Sequence, residues 1–285
     1  MRYNIPKTLF NSRLNATYAI VCKWGFSQVF QEIISRNQEA GMHVVIQGAG
    51  RGIGYAMAKQ AIATGATKLF LTARQPADTK AFADLAPAEN LHWVGMDFLN
   101  PATITTAASD ILERITRIDR LVMVAGVLQD DVVRPEKRLA DLNPAALHHS
   151  YQVNAIGPMM FVKSLWPALR QSHPVVVASI SARVGSIADN RLGGWYGYRA
   201  SKAALNQLSH TAAIELTRYN PQSCMVTLHP GTVDTELSRP FQKMVPTGGL
   251  FTAAQSAAHL WQVMDNLTPS QTGGFFAYDG SSIAF

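Results

Sequence analysis

The chain has 285 residues, 47% of them hydrophobic and 15% charged, with a mean hydropathy of +0.02. That balance excludes a disordered chain, no run approaches the roughly 20 apolar residues that span a bilayer, and only two cysteines, Cys22 and Cys224, exclude a disulfide-stapled or Cys-rich zinc module. The formal charge of +6 contains no dense basic run, so neither nucleic acid nor a membrane is an expected partner, and a reducing, cytoplasmic setting is the default.

Residues 1–41 carry Arg2, Lys7, Arg13, Lys23 and Arg36 against Glu32 and Glu39. Ile20, Trp24, Val29, Phe30 and Ile33 recur near helical spacing, which predicts an amphipathic helix over 17–36. Lys23 and Trp24 interrupt the apolar core that a secretory signal needs, and a basic, acid-free start leaves a transit peptide as a minor reading. The segment reads as a non-catalytic appendage, or as an upstream start ahead of a real one at Met42.

From Met42 short apolar runs at 43–46, 68–72, 91–95, 120–124, 174–179 and 223–228 alternate with helical segments at 52–64, 101–117, 145–170 and 197–219. Phe275 to Tyr278 supplies a last strand, Gly65 sits where a helix C-terminal cap belongs, and Asn100-Pro101 starts a helix. Such alternation predicts an α/β, doubly wound parallel sheet with helices on both faces, a single-domain Rossmann fold over residues 42–285.

Gln47-Gly48-Ala49-Gly50-Arg51-Gly52-Ile53-Gly54 lies between the first strand and its helix. Glycines there permit a tight turn and close backbone approach to a pyrophosphate, which helix N-terminal amides stabilise. An ordinary strand–helix turn is the bland alternative. Arg51 sits inside this turn and Arg74 follows the second strand, where an NAD site usually places a carboxylate. Planar, permanently charged guanidinium groups suit a 2′-phosphate instead, so NADP(H) is the expected cofactor. Asp97, past the third strand, is a candidate for the adenine amino group or for a plain turn.

Tyr198 and Lys202 stand four residues apart, on one helical face. A nearby ammonium favours the phenolate and so eases proton exchange by the tyrosine. Tyr196 has Ala200 where the lysine would be, which leaves Tyr198 the better candidate.

With the glycine turn, Asn154, Tyr198-x-x-x-Lys202 and Pro230-Gly231 together, residues 42–285 resemble a short-chain dehydrogenase/reductase of the classical type. Ser181 to Asn190, Gly193 to Arg199 and the ending Tyr278-Asp279-Gly280 resemble its C-factor (C-signal)-like branch. The resemblance implies that Tyr198 protonates a carbonyl oxygen as hydride arrives, that Lys202 binds ribose hydroxyls, and that Asn154 holds a relay water. It also implies that Pro230, Gly231, Val233 and Thr235 face the nicotinamide, that residues 236–252 close a partly apolar pocket, and that the protein is a homodimer or homotetramer.

Three positions depart from the family pattern. Gln47 replaces the usual threonine, Met123-Val124 replaces two asparagines before Ala125 and Gly126, and Ala182 occupies the family's catalytic serine position. Ser181 is the expected substitute for binding the substrate oxygen. His148-His149 lacks metal-ligand spacing, so no metal is expected, and Asp130, Asp131 and Glu136 read as carboxylates balanced by Arg134, Lys137 and Arg138. The expectation is an NADP(H)-dependent oxidoreductase that reduces an aldehyde or ketone or oxidises the matching alcohol. Its rival is a nucleotide-binding signalling or regulatory protein with incidental catalysis, favoured by the C-factor-like segments and by Ala182.

Overall fold

A computed structural model describes residues 41–85, 90–246 and 248–285. The expectations for residues 1–40, including the helix over 17–36, lie outside the described residues. Met42–Phe285 forms one compact unit.

Its centre is a sheet of β1 (Met42–Gln47), β2 (Ala66–Ala73), β3 (Leu91–Gly95), β4 (Arg120–Met123), β5 (Val175–Ile180), β6 (Ser223–His229) and β9 (Phe275–Ala277). All neighbours pair in parallel, in the order β3-β2-β1-β4-β5-β6-β9. A second pair, β7 (Thr232–Val233) and β8 (Leu250–Phe251), lies after β6.

Strict alternation along the strands builds two apolar layers. Val45, Phe70 and Leu121 face one, with Ile104, Ile111, Phe161, Leu165 and Leu216; Val44, Ile46, Leu69 and Leu71 face the other, with Met57, Trp261 and Met264. Both faces of the sheet are therefore dry, which is why its strands read as continuous Val/Ile/Leu runs. The first layer is covered by α3 (Pro101–Leu112), α5 (Gly157–Leu169) and α6 (Tyr196–Tyr219), the second by α1 (Gly52–Ala63) and α7 (Ala253–Asn266). Two shorter helices, α2 (Lys80–Leu85) and α4 (Pro144–Tyr151), complete the set.

Parallel strands put all seven C-terminal ends on one edge, and strand order reverses between β1 and β4. The crevice outside that reversal is where ligands bind in open α/β sheets. Gly65, with φ +84°, follows the Thr64 C-cap of α1, and Pro101 opens α3 behind Asn100, as the sequence predicts.

Of the differences from the sequence expectation, two bear on the site. The predicted helix over 145–170 is broken by a π turn at Gln152–Ile156. Pro158 has no N–H to give the Asn154 carbonyl four residues earlier, so the regular bonding pattern fails there. Helix α7 falls outside the predicted helical segments. Its start is a capping box, in which Gln255 N–H donates to Thr252 Oγ1 at 3.2 Å and Thr252 N–H donates to Gln255 Oε1 at 2.9 Å.

Candidate active site

The glycine turn wraps the edge of the sheet between β1 and α1. Gly48 and Ala49 donate their N–H groups to the Thr72 carbonyl of β2 at 3.1 and 2.9 Å. Gly48, at φ +81°, lies so close to Ala125 that a Cβ would meet its nitrogen at 2.8 Å. At Gly54 a Cβ would stand 2.1 Å from the Gly48 carbonyl oxygen, so only glycine lets α1 start this near its own strand. Gln47 accepts the Ala125 N–H at 3.0 Å through its side chain and so ties the glycine turn to the loop after β4.

The N-terminus of α1 is left open. Arg51 at its N-cap makes no side-chain cap and no acidic residue occupies the first turn. Its positive end is therefore available to an anion. Arg51 itself forms an exposed ion pair with Glu236 from the segment after β7. Arg74 is exposed directly after β2, with no carboxylate beside it in the chain before Asp78. Asp97 accepts the Leu99 N–H at 2.9 Å, the turn role weighed from sequence.

Thr235 comes within van der Waals reach of the Gly52 position, which carries the segment after β6 back to the glycine turn. Gly231 takes φ +78°, and Phe251 packs so close that a Cβ there would meet the ring at 2.6 Å. Ser256 at the start of α7 donates to the Pro230 carbonyl at 2.8 Å and fixes this corner.

Across the crevice, Tyr198 and Lys202 stand one turn apart on α6, 8% and 3% exposed. The Lys202 ammonium donates to the Ile180 carbonyl at 2.9 Å and sits 5.9 Å from the centre of the Tyr198 ring. Burial drives the Lys202 pKa down to about 8 and raises that of Tyr198 above the ordinary phenol value. The expected lowering of the phenol by its lysine is thus outweighed, in the protein alone, by removal from water. The result is a neutral phenol, a proton donor, beside a cation that titrates slightly above neutrality.

Asn154 is buried in the π turn and clamps the loop after β4. Its Oδ1 accepts the Val127 N–H at 2.8 Å, while its Nδ2 donates to the Val127 carbonyl at 2.8 Å and to Ser201 Oγ at 3.0 Å. Ser201 Oγ in turn donates to the Tyr198 carbonyl at 2.9 Å. A Cβ at Gly126 would lie 3.2 Å from both Asn154 Oδ1 and Lys202 Nζ, so these three residues converge. The side-chain amide of Asn154 is therefore engaged with the loop after β4 and with Ser201.

Ser181 is buried beyond the end of β5, and its hydroxyl donates to Asn206 Oδ1 at 2.6 Å, one turn beyond Lys202. Side chains alternate at the end of β5, and the half-exposed neighbouring position is Ala182.

Glu136, one of the charge-balanced carboxylates, is enclosed by the fold. It is 6% exposed and its Oε2 accepts the Gly197 N–H at 3.1 Å, while Oε1 is buried without a partner. Its backbone carbonyl accepts the Trp195 N–H at 2.5 Å. Gly193, Gly194 and Trp195 enter α6 with φ of 63°, 66° and 52°, and Trp195 is the only non-glycine with positive φ among the described residues. For a bulky side chain that conformation costs about 1–3 kcal/mol. The indole packs edge-on to Tyr198, centres 6.4 Å apart, and against Phe241 at 5.0 Å. Phe241 belongs to the stretch expected to close the pocket. No sequence pattern marked Glu136, because its partner Gly197 is 61 residues away. Asp130, the other acid of note, pairs with His149 at 2.8 Å.

A family model described as short chain dehydrogenase matches residues 42–246. The C-signal protein of Myxococcus xanthus is 34% identical over 146 residues, 51% of this chain and 82% of its own length. Among solved structures, the carbonyl reductase Sniffer of D. melanogaster superposes with a TM-score of 0.75 at 26% identity, covering 85% of this chain and 99% of that one. A Burkholderia multivorans chain provisionally described as a short-chain dehydrogenase/reductase, with NADP bound, gives 0.71 at 25% identity over 86% of this chain and all of its own.

Proposed function

The chain belongs to the short chain dehydrogenase family of oxidoreductases, and from that premise we propose that it is an NADPH-preferring reductase of aldehydes or ketones. The observation that carries the reading is the pairing of a buried phenol and ammonium, Tyr198 and Lys202, across the crevice from an uncapped helix N-terminus flanked by Arg51 and Arg74. The carbonyl-reducing and NADP-bound neighbours support it.

A nicotinamide dinucleotide supplies hydride chemistry when bound. Gly52, Ile53 and Gly54 would receive its pyrophosphate on their amides, with Gly48 shaping the turn beneath it, and Asp97, Ala125 and Gly126 would border the adenosine half. Lys202 would hold ribose hydroxyls, and Pro230, Gly231, Val233 and Thr235 would flank the nicotinamide. Tyr198 then gives its proton to the substrate oxygen while the carbonyl carbon gains hydride, which yields the alcohol. A water on the Asn154 carbonyl, reached through Lys202, would restore that proton. With Ala182 where a hydroxyl is usual, Tyr198 acts on the oxygen alone, a loss that costs on the order of 10²–10³ in rate in other enzymes.

For the 2′-phosphate, Arg51 must leave Glu236. Exposed ion pairs contribute only about 0–1 kcal/mol, and a dianionic phosphate is the stronger partner for a guanidinium. Titration of the protein with NADPH and NADH, read by nicotinamide fluorescence, tests this. Arg51→Ala with Arg74→Ala should weaken NADPH at least tenfold more than NADH; equal weakening contradicts the phosphate clamp.

Exposed Ile156 and Met160 beside and on α5, with Leu208, Ile214 and Tyr219 on α6, would provide the apolar face of a homo-oligomer. Among the described residues no helix is long and apolar enough to cross a membrane. The competing regulatory reading draws on the C-signal likeness and on Ala182; tight NADPH binding with no turnover on any carbonyl would favour it.

A further inference from the structure

Trp195 occupies a backbone conformation that glycine would adopt without strain, as Gly193 and Gly194 do immediately before it. The turn into α6 could be made by a third glycine, so what this position adds is the indole. Four bonds hold it in place. The Trp195 N–H is tied to the Glu136 carbonyl, Glu136 Oε2 takes the Gly197 N–H, Arg199 N–H returns to the Trp195 carbonyl at 2.8 Å, and Arg199 Nε donates to the Gly194 carbonyl at 2.9 Å. A Cβ on Gly197 would meet Glu136 Oε1 at 2.8 Å, so the carboxylate is fitted to a glycine.

The ring so placed stands edge-on to Tyr198, at 72°, and tilted 54° to Phe241. Tyr198 is 8% exposed, so anything that reaches its hydroxyl passes the side chains that cover it. Trp195 is one of those and is itself half-buried.

We infer that Trp195 is the specificity-determining wall of the carbonyl site, set by Glu136, and that it selects aryl over alkyl carbonyl compounds. The inference rests on the reading of Tyr198 as proton donor. A flat ring can lie offset or edge-to-face against the indole and gains about three- to tenfold in affinity for each such contact, whereas an alkyl chain gains only burial.

The test compares kcat/KM for 4-nitrobenzaldehyde and hexanal at saturating NADPH, in the wild-type chain, Trp195→Ala and Trp195→Phe. Trp195→Ala should lower the aryl-to-alkyl ratio at least fivefold, through KM for the aryl substrate, and Trp195→Phe should keep most of it. An unchanged ratio in either a folded Trp195→Ala or, where that variant does not fold, a folded Trp195→Leu overturns the inference. Binding of acetophenone, followed by ligand-observed NMR in a Tyr198→Phe background, separates it from the reductase reading. Acetophenone affinity that falls at least threefold on adding Trp195→Ala supports the wall even if no carbonyl is turned over; affinity independent of position 195 contradicts it.

Discussion

The helices α1 and α6 begin in the same way and end up doing opposite things with their N-termini. Each is entered through left-handed residues, Gly52 at the first and Gly193 to Trp195 at the second, and neither has a side-chain cap from its own N-cap or an acid in its first turn. At α1 the positive end stays open, with arginines beside it. At α6 a buried carboxylate from 61 residues upstream, Glu136, occupies it by accepting the Gly197 N–H. An unfilled helix N-terminus is a site for a ligand's anion; a filled one is a fixed mount, here for Tyr198 two residues in.

The largest effect should come from closing the open end. Gly54→Ala places a methyl against the backbone carbonyl of Gly48, which no side-chain rotation relieves. NADPH affinity should fall at least 100-fold by fluorescence titration, while Tyr198 and its surroundings are undisturbed.

Opening the filled end should do less to binding and more to turnover. Glu136→Ala leaves the Gly197 N–H without its acceptor, at about 1–3 kcal/mol. We expect kcat to drop about tenfold or more with NADPH affinity within threefold of wild type. Glu136→Gln retains an acceptor oxygen and should recover most of kcat; a glutamine variant as impaired as the alanine one would refute the mount.

The smallest effect is on stability. Burial holds the Lys202 ammonium at about 8 where an exposed lysine titrates at 10.5. Between those values the unfolded chain binds the additional proton, so stability rises as pH climbs from about 8 to 10.5, and below 8 the full destabilisation, about 3 kcal/mol, is present. Lys202→Met removes it but orphans the Ile180 carbonyl, which returns about 1–2 kcal/mol. The variant should be inactive yet more stable at pH 7 by about 1–2 kcal/mol in urea unfolding, with the advantage shrinking by pH 10.

The same contrast explains what could be read from sequence. The open end is local: Gly48 to Gly54 follow one another, between a Val/Ile run and a helix, and Tyr198 and Lys202 are four apart on one face. The six strands from β1 to β6 were equally legible, because burial on both faces makes them unbroken apolar runs. The filled end is not local, since nothing near Glu136 distinguishes it from the charged residues around it, and only the fold brings Gly197 to it. The bond from Ser181 to Asn206 spans 25 residues and is likewise invisible in the local sequence. Pro158 did carry a local signal for the π turn at Asn154, as did Thr252-x-x-Gln255 for α7; both follow from bonding rules that apolar periodicity does not contain.

The central claim is that Tyr198, on its fixed mount, gives the proton while the open end holds the nucleotide. Its most direct test is Tyr198→Phe, assayed for NADPH binding and for reduction of 4-nitrobenzaldehyde in the same preparation. The account predicts NADPH affinity within threefold of wild type and turnover reduced at least 1,000-fold, the scale on which loss of an essential proton donor acts. Turnover equal to wild type would contradict it.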